Sequence, residues 1–274
     1  MNREKIHRTD MDRQTTLVHL RTDGFDYDVI LQKIESEKRQ AQISGQTDTA
    51  NELWGKWMVV AIHKKFTEVY KLLSVSEYYE AWCKAEEVEI DLRNLLRNDK
   101  NAYLAVKDLH TCITNLQSLY PYKIFFSYVM HIQKEECSIC GKQRSVRNFC
   151  GHRKGYVYNG ELCYNTVTKC ELKGVDIVFN PVHKYSVAFL TDENGNRQDK
   201  YDYTLLKGLM SYWKKPFQRW TYKIDTLHLS PTSFPDLKDS SSCPCGSGLA
   251  YSECCKKNRE GIKHMRYTFM MEGI

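Results

Sequence analysis

From about Phe25 the chain settles into helical periodicity. Leu53, Trp54, Trp57, Met58, Ala61, Ile62, Phe66, Val69, Tyr70 and Leu73 recur at steps of three and four residues, which lays a wide apolar stripe along one helix. Tyr78, Trp82, Ala85, Val88, Leu92 and Leu95 repeat the pattern in a second helix that ends near Asn98 and Asp99. A third is expected from an N-cap at Asn101, with Leu109, Cys112, Ile113, Leu116 and Leu119 on its face and Pro121 closing it. Stripes this wide have to bury against one another, so residues 25–132 are read as a helical bundle. Within it, Glu86, Glu87, Glu89 and Asp91 are expected on a solvated helix face. Cys83 and Cys112 read as small core residues, and His63, His110 and His131 as isolated structural histidines. Residues 1–24 are rich in Arg, Asp and Thr and nearly free of aromatics, the composition of a flexible arm.

After Ile132 the texture changes. Residues 175–179 and 185–190 are β-branched or aromatic and read as short strands separated by Asn180 and Pro181. Residues 192–196 form a turn, and a helix is expected over 203–213 with Leu205, Leu206, Leu209 and Met210 on one face. The run SPTSFPDLKDSSS at 230–242 has the composition of an extended linker. The expected architecture is α+β. It comprises an N-terminal helical bundle, a zinc-knuckle domain with short strands at 133–229, a linker, and a small metal-binding module at 243–274.

Cysteine spacing supplies the chemistry. CPCGSGLAYSECC sets Cys243 and Cys245 one residue apart, then Cys254 and Cys255 adjacent after an eight-residue loop. Zinc takes four soft ligands tetrahedrally, at about 2.3 Å from each sulfur, so two close pairs joined by a short turn can wrap one ion. Gly246 and Gly248 permit the positive φ angles such a reversal needs. A second constellation begins at Cys137-x-x-Cys140 and continues to Cys150-x-His152. Cys163 is an alternative to His152, and Cys170 is a weaker candidate. Two zinc ions per chain are therefore expected. Both sites read as structural, because four protein donors close the coordination shell. Glu161 is the residue that would act beside the central ion if a coordination place were open.

The C-terminal run resembles the SEC-C motif, the zinc-binding module at the end of the SecA translocation ATPase and of many otherwise unrelated bacterial proteins. Cys-x-Cys-Gly-Ser-Gly, the eight-residue spacing and the final adjacent pair carry that resemblance. It implies the ligands Cys243, Cys245, Cys254 and Cys255, a bacterial setting, and docking to a protein partner such as a SecB-type chaperone or the ribosome. Leu249, Tyr251 and Lys256, between and beside the ligands, are the expected contact surface. The resemblance implies no ATPase activity, and no Walker A sequence occurs.

Eleven cysteines would suggest disulfides in an extracellular protein, but the CxxC and CxC pairs, without an apolar leader at the start, point to metal in a reducing, cytoplasmic compartment. No run approaches the roughly 18 apolar residues of a membrane-spanning helix, so membrane insertion is not expected. The net charge of +6 is unevenly placed: residues 1–132 carry 18 basic and 19 acidic side chains, residues 133–230 carry 16 and 10. The basic surplus of the central region suits an anionic partner. Lys142, Arg144, Arg147, Arg153 and Lys154 surround the central cysteines. Lys207, Lys214, Lys215, Arg219 and Lys223 interleave with Tyr212, Trp213, Phe217, Trp220 and Tyr222.

Such a mixture would suit single-stranded nucleic acid, with Arg147, Arg153, Lys214, Lys215 and Arg219 as the candidate contacts. The competing reading, which is favoured, has the rings packing the domain and the cations solvating it. No deaminase, metalloprotease, nucleophile-elbow or dinucleotide signature occurs, so no catalytic or cofactor-binding residue is assigned. The leading expectation is a zinc-binding interaction or adaptor protein, able to self-associate through the helical bundle. The alternative is a nucleic-acid-binding or nucleic-acid-acting protein of a phage-defence or toxin system.

Overall fold

The structure is a computed structural model, and it describes residues 20–22, 24–145, 147 and 149–272. Most of the arm expected at 1–24 lies outside the described residues. Its last part is tied down: Leu20 is buried, Arg21 pairs with Asp108 at 3.4 Å, and the Tyr27 hydroxyl donates to the Leu20 carbonyl at 2.6 Å.

Four helices follow in sequence, α1 (Tyr27–Ile43), α2 (Thr47–Ser74), α3 (Tyr78–Asn98) and α4 (Tyr103–Ser118). The Asp26 carboxylate caps α1 by accepting from the backbone N–H groups of Asp28 and Val29. The predicted cap at Asn101 is displaced. Asp99 instead accepts from the N–H groups of Asn101 and Ala102, and a 3-10 turn, Lys100–Ala102, precedes α4. The apolar stripes face inward as their spacing requires. Ile62, Phe66, Val69 and Leu73 of α2, Val88, Leu92 and Leu95 of α3, and Val106, Ile113 and Leu116 of α4 are all buried. Each such side chain contributes about 1.5–3 kcal/mol relative to exposure.

The expected solvated face on α3 is not uniformly solvated. Glu86 is fully buried, with Lys184 Nζ 3.6 Å from its carboxylate. Its neighbour Glu89 also pairs with Lys184, whose ammonium donates to Gln117 at 2.9 Å. Burial pushes the Glu86 carboxyl above its ordinary range and the Lys184 charge partly opposes that. His63 is buried too, its Nδ1 2.8 Å from the Val59 carbonyl oxygen, and desolvation lowers its pKa to about 4. His110 and His131 are exposed, Cys112 is buried and Cys83 half-buried.

Residues 125–132, expected within the bundle, are strand. β1 (Phe125–Cys137) pairs antiparallel with β4 (Asn165–Val178) in a long two-stranded ribbon broken by bulges. Pro121 stops helix formation and the aromatic and β-branched residues after it favour extended backbone. The segment joining the two strands carries a small hairpin, β2 (Val157–Tyr158) with β3 (Glu161–Leu162). Asn159 and Gly160 both adopt positive φ there, as a tight two-residue hairpin turn requires. This hairpin is bound to the helices. The Gly160 N–H donates to Asn51 Oδ1 at 2.7 Å, and Asn98 donates to the Gly155 carbonyl at 2.9 Å and accepts from the Val157 N–H at 2.9 Å. Buried Lys38 pairs with Glu161 at 3.1 Å. At the ribbon's other end Phe125 bridges to Val187, and Trp82 Nε1 donates to the Lys184 carbonyl at 2.6 Å. A second small hairpin, β5 (Leu190–Thr191) with β6 (Arg197–Gln198), encloses the expected turn.

The chain divides into two compact units, and the division falls within α5 (Thr204–Tyr212). The first unit extends through Leu206 and takes in Lys215–Phe217, where Phe217 stacks on Phe66. The second comprises Lys207–Lys214 and Gln218–Ile274. Its frame is an antiparallel ribbon of β7 (Trp220–Leu229) and β8 (Ile262–Met271), paired from Trp220 opposite Met271 to Leu229 opposite Ile262. Residues 230–242, expected as an extended linker, hold a 3-10 turn, Pro231–Ser233, and Phe234 and Leu237 pack against the C-terminal cysteines. Gly261 turns the chain into β8 at φ +102°, and a Cβ there would come within 2.6 Å of the Leu229 carbonyl oxygen. The structure is thus α+β, with antiparallel strands throughout. No described helix is long and apolar enough to cross a membrane.

Candidate metal centres

Two groups of donors converge. The ligand atoms of Cys137, Cys140, Cys150 and His152 lie within 4.8 Å of one another, as do those of Cys243, Cys245, Cys254 and Cys255.

In the first group the chain supplies donors from a strand end and two turns. Cys137 ends β1 and is buried. Its carbonyl accepts from the Gly141 N–H at 2.8 Å, and its own N–H donates to the Lys142 carbonyl at 3.0 Å. The reversal that brings Cys140 back beside Cys137 needs Gly141 at φ +67°. Gly151, between Cys150 and His152, likewise stands at φ +85°. The His152 ring meets Tyr158 edge-on at 4.7 Å, which fixes its plane. Cys137 Sγ lies 3.6 Å from His152 Nδ1. A tetrahedral ion with bonds of about 2.3 Å to sulfur and 2.0–2.1 Å to nitrogen separates such a pair by about 3.5 Å. The donor set therefore fits a metal ion, with Nδ1 as the histidine donor.

Cys163, the alternative to His152, lies 3.9 Å from Cys137 and outside the convergent set of four. Glu161 is also not placed to serve an ion. Its Oε1 accepts from Lys38 at 3.1 Å and from Gln42 at 3.0 Å, so it ties the β2–β3 hairpin to α1. Cys170 is an exposed residue of β4.

Arg144 has a role that its place in a basic run does not reveal. Its Nη2 donates to Cys137 Sγ at 3.4 Å, to Cys163 Sγ at 3.3 Å and to the His152 carbonyl at 2.8 Å. Burial disfavours the Cys137 thiolate, yet the Arg144 guanidinium and the N–H groups of Cys140 and Ile139 outweigh it and bring its pKa down to about 5. Cys163 moves the other way, raised by burial and by the sulfur of Cys137. Arg144 thus offsets the negative charge of the thiolates and binds the two turns together. Arg144→Met should weaken metal at the central site about 10- to 100-fold and leave the C-terminal site unchanged. Titration against a chromogenic chelator checks this, and equal weakening at both sites would contradict it.

The second group is built on 3-10 turns. Gly246 and Gly248 stand at φ +78° and +77°, and the Cys243 N–H donates to the Leu249 carbonyl at 2.8 Å, closing the loop between the ligand pairs. Cys254 lies between the 3-10 turns Tyr251–Glu253 and Cys255–Lys257, and Cys255 opens the second of them. Sulfur separations are 3.5 Å for Cys245 and Cys254 and 3.9 Å for Cys254 and Cys255. The edge of a four-sulfur tetrahedron with bonds of about 2.3 Å is about 3.8 Å, between those two values.

Ser247 donates to Cys254 Sγ at 3.2 Å. It is also the main cause that lowers the Cys245 pKa to about 6. Cys255 goes the opposite way. The Lys263 N–H favours its thiolate, but burial and the three neighbouring thiols push it up to about 12. Four thiols held this close share protons, and a dication is the natural replacement for them. Tyr251, expected on a contact surface, is buried with Cys243, Cys255 and Ile262. Leu249 is exposed, and Lys256 is exposed in an ion pair with Asp239 at 2.5 Å.

The candidate nucleic-acid contacts Arg147, Arg153, Lys214, Lys215 and Arg219 are all exposed. The rings between them largely are not. Trp213 and Trp220 are buried and meet at 5.6 Å, and Phe217 is packed on Phe66. Tyr212 alone of the five is largely exposed, and it too touches a ring, Phe269. The arrangement favours the packing role of these aromatics. Compared with protein-family models, curated proteins and solved structures, this chain gives no match.

Proposed function

We propose that this protein is a cytoplasmic interaction protein that holds two structural zinc ions and docks a protein partner through its C-terminal SEC-C-like module. The observation that carries the reading is the pair of four-donor sets, one of four thiols and one of three thiols and an imidazole, each with its ligand atoms within 4.8 Å of one another and with Cys137–His152, Cys245–Cys254 and Cys254–Cys255 separated by 3.6, 3.5 and 3.9 Å, near the edges of a tetrahedral site. Donor sets of this composition suit zinc, and four protein donors would leave its shell no place for water or substrate. The central ion would pin the turn-rich segment of a zinc-knuckle domain between β1 and β4. The C-terminal ion would hold the module together with its small apolar cluster of Tyr251, Ile262, Phe234 and Leu237, and the exposed Leu249 and Lys256 would give a surface of the kind a SecB-type chaperone or a ribosomal protein would contact.

Elemental analysis of the purified chain should return two zinc ions. Cys245→Ser should release one of them and leave the thermal unfolding of the first unit in place. Leu249→Asp should keep both ions and lose binding to a purified SecB-type chaperone or to purified ribosomes. A single zinc per chain would refute the two-site reading. Binding to both probes that is either absent from the native chain or unchanged by Leu249→Asp and Cys245→Ser would refute the docking role.

A further inference from the structure

One face of the β1–β4 ribbon is apolar and, among the described residues, left exposed. Residues opposite one another in a ladder share a face, and so do alternate residues along a strand. Phe126 opposes Ile177, Tyr128 opposes Val175, Met130 opposes Leu172 and Ile132 opposes Cys170. These eight side chains form one continuous face without a charge. Its reverse carries Ser127 opposite Asp176, Val129 opposite Gly174 and His131 opposite Glu171. The register shift between Val129 and Met130 is what keeps the face apolar: Lys173 is passed over, so that Leu172 and Cys170, in place of Lys173 and Glu171, continue the line of Ile177 and Val175.

Every member of the face is exposed, from 38% at Phe126 to 65% at Ile177. Side chains of this size at such exposures leave roughly 100 Å² apiece, on the order of 800 Å² in all. That is about what each partner contributes to a stable protein interface. It also exceeds the few hundred Å² that a monomer ordinarily leaves as one apolar patch. A ribbon of only two strands is marginal in water unless a face is covered, and this one is fastened at its two ends, by Phe125 to Val187 and by the β2–β3 hairpin to the helices.

We infer that this face is covered by the same face of a second copy of the chain, giving a two-fold dimer through the ribbon and not through the helices. A two-fold contact needs a patch complementary to itself, and an uncharged apolar face meets that condition, whereas a nucleic acid would require cations on it. The inference is independent of the metal and docking readings.

Sedimentation equilibrium of the full-length, zinc-loaded chain across the micromolar range should show a monomer–dimer equilibrium. Tyr128→Glu combined with Val175→Lys places opposite charges on one cross-strand pair, which spares the ribbon and removes the apolar centre of the face. It should raise the dimer dissociation constant about 30-fold or more, as loss of a central anchor does. Ile177→Asp, at the most exposed position, should act in the same direction. Ser127→Lys, on the reverse face opposite Asp176, should leave the dimer intact. Circular dichroism and a metal content equal to that of the native chain identify variants that have kept their fold. A native chain that remains monomeric, even one that sediments with lipid vesicles or takes up another protein, overturns the inference. So does a dimer equally sensitive to the reverse-face substitution, or one that well-folded Ile177→Asp leaves unchanged.

Discussion

Replacing Cys137 by serine is expected to remove one of two zinc ions and to loosen the whole segment between β1 and β4. Cys137 is the joint of that segment. It ends β1 opposite Asn165, exchanges backbone hydrogen bonds with Gly141 and Lys142, and places its sulfur against His152, Cys163 and Arg144. Serine preserves shape and removes the soft donor. Structural zinc carries about 10–16 kcal/mol of apparent binding free energy in small domains. Losing even part of it places the substitution among the exceptional ones, at about 4 kcal/mol or more. Arg144 would then face a hydroxyl where a thiolate had balanced it. Trypsin should cut the variant rapidly at Lys142, Arg147, Arg153 and Lys154, all exposed in that segment, while the native holoprotein resists. A variant that keeps two zinc ions and its resistance to trypsin would remove the central site from the account.

The metal donors are legible in the sequence because they come in local pairs. Cys137 with Cys140, Cys150 with His152, and the four C-terminal thiols are each brought together by a turn, and a turn of that kind is written in adjacent residues and a glycine. The choice between His152 and Cys163 is a different matter, since Cys163 arrives from the far side of the β2–β3 hairpin. The helices are legible for the same local reason, through stripes such as Leu53 to Leu73.

The two ribbons are legible only in part. A period of two is present in Phe126, Tyr128, Met130 and Ile132, but Phe125 and Val129 fill the intervening places and blur it. The bulge that selects Leu172 over Lys173 is a property of the paired strands, absent from either one alone. β7 and β8 are separated by the entire segment that carries the four C-terminal cysteines, so nothing in one names the other. The Pro and Ser of residues 230–242 suggest a linker, yet Phe234 and Leu237 pack inward once β7 and β8 bring the two ends of residues 230–261 together. Charges mislead in the same way. Arg144, Lys38 and Glu86 look like surface residues until a distant partner, a thiolate, Glu161 or Lys184, takes them inward.

Glu86 gives the second large effect. Lys184→Met should destabilise the protein by about 3–5 kcal/mol at neutral pH, the usual cost of leaving a buried charge without its partner. Lys184 reaches Glu86 and Glu89 on α3 and donates to Gln117, on α4, so the substitution strips the cation from a fully buried carboxylate. The pH dependence follows from the direction of the Glu86 shift. Its folded pKa is raised, chiefly by burial, so in the window between its unfolded and folded values the folded state binds the extra proton. Stability contributed by this group therefore falls as pH rises through that window. Removing Lys184 raises the folded value further and widens the window upward. The gap between native and variant stability, measured by urea denaturation of zinc-loaded protein, should accordingly grow from pH 5.5 to pH 8.5. Adding Glu86→Gln to Lys184→Met should recover most of the loss and flatten the profile, because a neutral amide needs no counter-ion. A gap that is constant with pH and unrelieved by Glu86→Gln would mean that Lys184 acts through its packed methylenes and not through its charge.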